Sequence, residues 1–402
     1  MSPLPSAIIS VTNDLTTDQR VDRTCRALVQ SGFDVLLVGR RLRNSKTLMP
    51  RSYQMHRMRL LFDSGPLFYA EYNLMLFFFL LMYRYDLIVS NDLDTLPANY
   101  LANLIKHPTG KIPSPKSQIS SPNLQFPISN LQSHHLHDCH EYFRGVPELT
   151  GRKMVTRIWK WIEDRIFPKL KRVVAVNQSV ADLYSKEYGN KITVVRNVPF
   201  RKSLKGCRDK TSLNISPDRK IILYQGAVNV DRGLEEAIMA MKHIKSDAIL
   251  VIAGVGDIYE TLIKSTNDQG LSEKVMFLGQ VPFQDLHDKT LLADLGLSIE
   301  KDVSINYHYC LPNKFLDYIQ ANVPVLVSPF PEMKAIVDHY EIGEFIASHD
   351  PELLACQIDA MLNNAKKMIG YKQNLLKAAE ELCWENEEKT LLLTIGRVTG
   401  DA

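Results

Sequence analysis

Continuous apolar runs alternate with helical patterns along the first half of the chain. The predicted strands in this half are 7–12, 34–40, 85–91, 172–177 and 191–197. Between the first two runs, Val21, Cys25 and Leu28 recur at helical spacing before Gly32. Because the strand-like runs do not alternate between apolar and polar residues, they favour a parallel sheet that is covered on both faces.

The second half of the chain repeats this pattern. Its predicted strands are 220–226, 248–254, 274–280, 293–299 and 323–329. Two such arrays, each with intervening helices, predict an α/β fold class with two Rossmann-like domains. Periodicity is lost over 198–215, so we place the first domain at 1–200 and the second at 201–380.

Residues 107–136 interrupt the pattern, because they are dense in Pro, Ser, Asn and Gln. Such a composition does not build a core, so we predict a disordered or extended insertion. The strip "SHHLHDCHE" (133–141) then divides into two parts. His134 and His135 belong to the insertion, and the remainder is typical of a strand that ends in a functional loop. A zinc site is the alternative, although the insertion would position its ligands poorly.

Charge is divided unevenly between the two halves. Residues 1–200 carry 26 Lys and Arg against 16 Asp and Glu, a net charge of +10, and residues 201–402 carry 22 against 29, a net charge of −7. This asymmetry suggests an anionic partner for the first half, the alternative being basic residues scattered over a solvated surface. Nucleic acid is not the expected partner, because no recognition module is present and the basic residues have acidic neighbours.

The apolar run "LMLFFFLLMY" (74–83) is short for a membrane span, which needs about 20 apolar residues. It predicts a buried core helix or, alternatively, a helix that lies on a membrane surface. The start of the chain lacks the pattern of a signal peptide. The six cysteines are widely spaced without a CxxC pair, which favours reduced thiols and a cytoplasmic location.

Ligands of open parallel sheets bind beyond the carboxyl ends of the strands, so the loops there are the candidate site. Arg232 follows Gly226 in one such loop and could neutralise a leaving diphosphate, although an exposed arginine after a turn is the simpler interpretation. Gly254 and Gly256 would allow the backbone of the next loop to approach a ligand. A Walker-type phosphate loop is absent from the sequence, so ATP hydrolysis of that type is not expected.

The segment "CLPNKFLDYIQANVPV" carries the strongest signal. Pro312 predicts a helix start, where free N–H groups suit a phosphate. Lys314 and Asp317 lie three residues apart and therefore share one helix face. Asp317 could accept hydrogen bonds from ribose hydroxyls, the alternative being an ordinary ion pair on the helix surface.

Several segments in order resemble the GT-B glycosyltransferases, and most closely a bacterial branch of the retaining glycosyltransferase family 4. In the second half these are "LYQGAVNVDRGLEEAI", "LVIAGVGDIYETL", "VMFLGQVPFQDL", "LPNKFLDYIQANVPVLVSP" and "CWENEEKTLL". In the first half they are "SVTNDLTTDQRVDR", "DLIVSNDLDTLPAN", "DCHEYFRGVPEL", "VAVNQSVADLY" and "VVRNVP". The resemblance covers almost the whole chain outside 107–136.

This resemblance implies a GT-B architecture, in which two Rossmann-like domains face a central cleft and a C-terminal helix (381–402) crosses back to the first domain. It implies His140, Arg232 and Asp317 as catalytic residues. The implied donor-binding residues are Gly226, Arg232, Gly254, Gly256, Val281, Leu311, Asn313, Lys314 and Asp317. The implied acceptor side contains Asn13, Asp14, Asp92, Asp94 and Glu141, and Asp138 and Glu141 would support His140. The chain departs from the family pattern at Ala227, where an arginine is usual, and at Tyr309, where an acid is usual.

The resemblance also implies transfer of a sugar from a nucleotide-sugar donor, with retention of configuration, to a glycan or lipid-linked acceptor of the cell envelope. Cations and helix N-termini stabilise the leaving group in such enzymes, so we expect neither a cofactor nor a required metal. Asp92 and Asp94 have DxD spacing, but their position in the first domain is wrong for a donor metal. The basic first half suits an anionic membrane surface, which predicts a cytoplasmic protein, peripheral on the inner face of the membrane. The alternatives are a nucleotide-sugar epimerase and a catalytically degenerate scaffold.

Overall fold

The computed structural model describes residues 4–16, 18–107, 135–146, 149, 151–205 and 209–396. The chain forms two compact units, one of Met1–Asn197 with Glu387–Ala402 and the other of Val198–Asn386. The first division therefore falls at Asn197 rather than at residue 200. The second falls within the last helix, so the end of the chain belongs to the first unit.

The first unit contains a seven-stranded parallel sheet in the order β3-β2-β1-β4-β5-β6-β7. Its strands are β1 (Ser6–Ser10), β2 (Asp34–Arg41), β3 (Gln54–Arg59), β4 (Leu87–Asn91), β5 (His135–Cys139), β6 (Val173–Ala175) and β7 (Ile192–Val194). The helices of this unit that precede the second unit in the chain are α1 (Gln19–Gln30), α2 (Gly65–Met82), α3 (Asp92–Lys106), α4 (Lys153–Ile166) and α5 (Gln178–Tyr188). The central strands are buried on both faces, as their uninterrupted apolar sequences require.

The second unit contains a six-stranded parallel sheet in the order β10-β9-β8-β11-β12-β13. Its strands are β8 (Lys220–Gln225), β9 (Ala248–Ala253), β10 (Val275–Gly279), β11 (Leu295–Ser298), β12 (Val325–Val327) and β13 (Gly343–Phe345). Its helices are α6 (Leu234–Ala240), α7 (Tyr259–Asp268), α8 (Phe283–Thr290), α9 (Ile305–His308), α10 (Asn313–Gln320), α11 (Pro331–Tyr340), α12 (Pro351–Asn363) and α13 (Ala365–Glu381). The last helix, α14 (Trp384–Ile395), begins in this unit and continues into the first.

The prediction that residues 107–136 form an insertion is wrong at the C-terminal end of this range. His135 and Leu136 lie in β5, between β4 and β6, and both are buried. The Oγ of Ser90 lies 2.7 Å from Nε2 of His135 and 2.9 Å from Nδ1 of His137, so one nitrogen of each buried ring has a polar partner within the sheet. Burial lowers the pKa of His135 to about 3 and that of His137 to about 4, which keeps both rings neutral. Residues 108–134 of the predicted insertion lie outside the described residues.

The apolar run at 74–83 forms the second half of α2. One side of this helix is buried in the first unit through Phe68, Tyr72, Leu76 and Leu80. The other side is exposed, and only 28% of the helix is buried. By length and composition alone, α2 could cross a membrane. The prediction of a core helix therefore describes only one of its faces.

Candidate active site

The loop after β8 and the loop after β9 lie directly against each other in the second unit. Gly226 and Gly254 have φ angles of +126° and +148°, which side chains rarely adopt. A Cβ at Gly254 would lie 1.9 Å from the carbonyl oxygen of Gly226, and one at Gly256 would lie 2.4 Å from that of Val228. The space beside Gly254 and Gly256 is therefore filled by backbone of the same chain. Their requirement for glycine follows from this packing, and their contact with the donor stays a prediction.

Two cations meet a buried carboxylate beyond the carboxyl end of β11. The Nζ of Lys314 lies 2.6 Å from Oε1 of Glu300, and Nη1 of Arg232 lies 3.8 Å from the same oxygen. Lys314 also lies over the ring of Tyr224, with its Nζ 3.9 Å from the ring centroid. A Cβ at Gly226 would lie 3.9 Å from Cε of Lys314, which places this cation beside the glycine loop. Arg232, Lys314 and Gly226 thus lie close together, and their assignment to the donor site stays a prediction.

Glu300 was missed by the sequence analysis. Its side chain has no solvent exposure, and Ser298 donates a hydrogen bond to its Oε2 at 3.0 Å. Burial favours the neutral acid, but Lys314 and Arg232 outweigh burial and lower the pKa of Glu300. For Lys314, burial likewise disfavours the charge, and Glu300 outweighs it and raises the pKa. The available signal was an acid directly after an apolar strand, a position where parallel sheets hold functional groups.

Asp317 lies on α10, and its carboxylate is paired with residues other than Lys314. Lys202 donates to Oδ1 at 3.0 Å, and the amide nitrogen of Gln225 donates to Oδ2 at 3.2 Å. Lys314 and Asp317 lie three residues apart on α10, but they do not form an ion pair with each other. Instead, one turn of α10 supplies a cation to Glu300 and an anion to Lys202.

The remaining predicted donor residues lie at the ends of secondary-structure elements. Leu311 is half-buried and Asn313 is exposed at the start of α10, where no side chain of the described residues caps the helix. Val281 is half-buried two residues after β10, which ends at Gly279. A helix start without a side-chain cap is a position at which proteins can bind an anion.

In the first unit, His140 follows β5 and is held by groups at the end of β4. Its backbone N–H donates to Oδ1 of Asp92 at 2.8 Å, and its Nε2 lies 3.0 Å from Oδ1 of Asn91. Its Nδ1 is 3.5 Å from Asp92 Oδ2, and its Nε2 is 3.5 Å from Asp138 Oδ2. Burial disfavours the charged ring, but Asp92 and Asp138 outweigh burial and raise the pKa of His140 to about 9. His140 is therefore an imidazolium at neutral pH.

Asp138, one of the two predicted supports of His140, is in contact with the ring. Arg20 in turn binds Asp138 with its Nη2 at 2.6 Å. Asp92 and Asn91 also contact His140, and Glu141, which is half-buried after the end of β5, stays a predicted support. Asp92 has a φ of +58°, a left-handed conformation that turns the chain sharply from β4 into α3.

The other predicted acceptor-side residues lie in the loop after β1 and in the first turn of α3. Asp94 is buried and accepts a hydrogen bond from Thr12 at 2.5 Å, and burial together with the charge of Asp92 raises its pKa to about 7. Asn13 and Asp14 stabilise the loop after β1, since Asn13 accepts from the N–H of Leu15 and Asp14 accepts from Thr16. Among the described residues, no group of three or more His, Cys, Asp or Glu side chains is arranged to hold a metal ion.

Residues 208–381 match the family model "Glycosyl transferases group 1". The match lies within the second unit, Val198–Asn386, which is therefore similar to glycosyl transferases group 1 over most of its length. A search of curated proteins finds "Uncharacterized glycosyltransferase MJ1607" of Methanocaldococcus jannaschii, 28% identical over 189 residues, which cover 45% of this chain and 45% of that protein. The chain thus aligns with less than half of the length of this relative.

Solved structures match the chain over nearly its full length. Sucrose-phosphate synthase from Thermosynechococcus elongatus superposes with a TM-score of 0.72 at 16% identity, covering 96% of this chain and 97% of that chain. HepE of Anabaena, in complex with UDP, superposes with a TM-score of 0.69 at 13% identity, covering 97% and 99%. These likenesses confirm the predicted fold of two parallel-sheet α/β domains of the GT-B type. Membership of family 4 stays a prediction.

Proposed function

We propose that the protein is a glycosyltransferase, which transfers a sugar from a nucleotide-sugar donor to a glycan or lipid-linked acceptor with retention of configuration. The observation that carries this proposal is the grouping of Arg232 and Lys314 beside the uncapped start of α10. Cations and helix N–H groups at one point form an anion site that suits the diphosphate of a nucleotide sugar. The match of the second unit to glycosyl transferases group 1, and the UDP bound by HepE, support this choice of ligand.

In the proposed reaction the bond from the anomeric carbon to the diphosphate breaks, and the acceptor oxygen bonds to that carbon on the same face. Arg232 and Lys314 neutralise the charge that develops on the departing phosphate, which can take the acceptor proton. Asp317 binds the ribose, and the role of His140 at the transferred sugar stays a prediction. This chemistry assigns no step to a metal ion or to a separate general base.

A membrane-bound acceptor is supported by the surface of the first unit. Helix α2 exposes Leu74, Phe78 and Met82 on one face, and α3 exposes Leu104 and Ile105. Helix α4 exposes Met154, Ile158 and Trp161 at helical spacing, and the guanidinium of Arg165 lies 4.3 Å from the Trp161 ring centroid. Aromatic and apolar side chains among cations are typical of helices at an anionic bilayer surface. We therefore propose a peripheral protein on the cytoplasmic leaflet, with a lipid-linked or cell-envelope glycan as acceptor.

The proposal is tested by calorimetric titration of the full chain with a panel of UDP-, GDP- and ADP-sugars. We expect one nucleotide class to bind, and Arg232→Ala and Asp317→Ala each to weaken its binding by about tenfold or more, which is at least about 1.4 kcal/mol. Absence of binding by the whole panel would contradict the proposal. Conversion of the donor to its sugar epimer without any acceptor would indicate the epimerase instead.

A further inference from the structure

The cations that we assign to the diphosphate already have an anionic partner within the chain. Oε1 of Glu300 lies 2.6 Å from Lys314 and 3.8 Å from Arg232, and its side chain is fully buried. Its other oxygen is held by Ser298. The carboxylate is therefore fixed between the two cations and excluded from water.

The pairing leaves both cations incompletely satisfied. The Nε of Arg232 is buried without a hydrogen-bond partner among the described residues. Lys314 is nearly buried, and apart from Glu300 its ammonium faces the ring of Tyr224. Two cations and one carboxylate leave a net charge of +1, so the cluster retains an attraction for an anion although it is internally paired.

The ribose side of the proposed donor site shows the same arrangement. Lys202 and Gln225 occupy the two oxygens of Asp317, at 3.0 and 3.2 Å. Both charged groups that the donor would contact, the cation pair and the acid, are thus paired with groups of the chain itself. A donor must exchange these contacts for its own.

We propose that Glu300 is an internal counter-anion of the donor site, which holds Lys314 and Arg232 in the empty site and competes with the donor diphosphate for them. This inference rests on the proposed function, because the competing anion is the diphosphate of a nucleotide sugar. A buried cation without a partner is strongly destabilising, so the carboxylate stabilises the empty site. The same carboxylate repels the diphosphate, so it lowers the affinity of the site and speeds release of the nucleoside diphosphate product.

The experiment measures dissociation constants by calorimetry for UDP, GDP and ADP, with the corresponding nucleosides as phosphate-free probes. Glu300→Gln keeps the shape of the side chain and removes its charge. We expect this variant to bind the preferred nucleoside diphosphate about tenfold more tightly, equivalent to about 1.4 kcal/mol, with unchanged affinity for the nucleoside. The empty variant should melt at a lower temperature than the wild type. A residue with a purely structural role would instead weaken binding when replaced.

Two further variants separate charge from geometry. Glu300→Asp keeps the charge and should retain an affinity close to that of the wild type. Glu344→Gln is the matched control. Glu344 lies on β13 of the same unit, with its Oε1 2.6 Å from Nζ of Lys367, and the binding constants of this variant should equal those of the wild type. Tightening by Glu300→Asp equal to that by Glu300→Gln would overturn the inference, because the charge would then not be the cause.

A folded Glu300→Gln variant that binds the nucleoside diphosphate no more tightly than the wild type would also overturn it. If Glu300→Gln does not fold without a ligand, inorganic pyrophosphate or the nucleoside diphosphate should restore its folding, because either would replace the missing anion. Failure of both to restore folding would also overturn the inference. These outcomes differ from failure of the proposed function, in which the wild type itself binds none of the nucleotides.

Discussion

Two carboxylates surround a single histidine at the end of β5. Asp92 lies 3.5 Å from Nδ1 of His140, and Asp138 lies 3.5 Å from Nε2. Together they raise its pKa to about 9 against burial, so the proton on His140 contributes stability to the folded state. This contribution is fully present below a pH of about 6.5, the ordinary pKa of histidine, and is lost as the pH rises through about 9.

Replacement of Asp92 by Asn should therefore lower the pKa of His140 toward 6.5. The variant removes one of the two charges that hold the imidazolium and keeps a side chain of the same size. NMR titration of the His140 ring protons measures this directly. Glu141→Gln is the control, and we expect it to leave the pKa near 9. An unchanged titration in Asp92→Asn would show that Asp138 alone sets the charge of the ring.

A second prediction concerns the glycine at the end of β9. Gly254→Ala places a Cβ 1.9 Å from the carbonyl oxygen of Gly226 at a φ of +148°. We expect it to cost about 2–4 kcal/mol, the sum of backbone strain and overpacking. Gly270→Ala is matched in its positive φ but has open space around the new methyl group, so it should cost about 1 kcal/mol. Urea denaturation of both variants provides the comparison, and equal losses would contradict the packing explanation.

Residues in recognisable motifs could be predicted from the sequence, whereas residues whose surroundings depend on the fold could not. Arg232, Lys314 and Gly226 meet in one site because their motifs follow neighbouring parallel strands. Glu300 belongs to no motif, and its role depends on the turn that brings α10 back over β11. The family pattern has an acid at the position of Tyr309, and in this chain the buried acid Glu300 lies nine residues earlier.

At the scale of elements, a buried ion pair joins α1 to the centre of the first sheet. The guanidinium of Arg20 binds both oxygens of Asp138 on β5, with Nε at 3.0 Å and Nη2 at 2.6 Å. The same group donates to the carbonyl of Val195, just after β7, at 2.6 Å. One side chain of α1 thus connects two strands that are far apart in sequence and fixes the carboxylate beside His140.

Arg20→Met should destabilise the first unit by about 3–5 kcal/mol, because it leaves the carboxylate of Asp138 buried without its cation. Arg26→Met is a matched control on the same helix. Its ion pair with Asp22 is an (i, i+4) pair at 2.8 Å on the partly exposed side, worth about 0.5 kcal/mol or less. Thermal and urea unfolding should separate the two variants clearly. Similar losses would mean that the buried pair contributes no more than the surface pair.

The same scale shows why some strands could not be predicted. The sequence of β5 reads "HLHDC", and its polar side chains are buried because Ser90 and Arg20 satisfy them across the sheet. No local pattern contains those distant partners. Strands β3 and β13 lie at the edges of their sheets, where a strand needs little apolar sequence. Strands β1, β4, β8 and β9 have continuous apolar sequences, and these runs predicted them correctly.

At the scale of the whole molecule, the basic charge of residues 1–200 coincides with an exposed apolar surface on the first unit. Phe78 and Met82 are 54% and 75% exposed on α2, and α3 packs beside them with Leu104 and Ile105 exposed as well. Lys106, whose ammonium donates to the carbonyl of Tyr83, places a cation at the same end of the two helices. Large contiguous apolar patches on a protein surface mark sites that bind another protein or a membrane.

We therefore expect the purified protein to bind vesicles that contain an anionic lipid, such as phosphatidylglycerol, at low salt, and to bind neutral phosphatidylcholine vesicles less. Salt should weaken the binding, because the electrostatic part is screened. The double variant Phe78→Ser/Met82→Ser should lower the bound fraction about tenfold or more in vesicle flotation, since each side chain contributes about 1.5–3 kcal/mol when buried. Leu353→Ser/Ile369→Ser is the control, because these side chains of the second unit are 56% and 58% exposed. If both double variants lose vesicle binding equally, the binding is nonspecific adsorption. If the wild type self-associates and only Phe78→Ser/Met82→Ser abolishes this self-association, the surface is a protein interface.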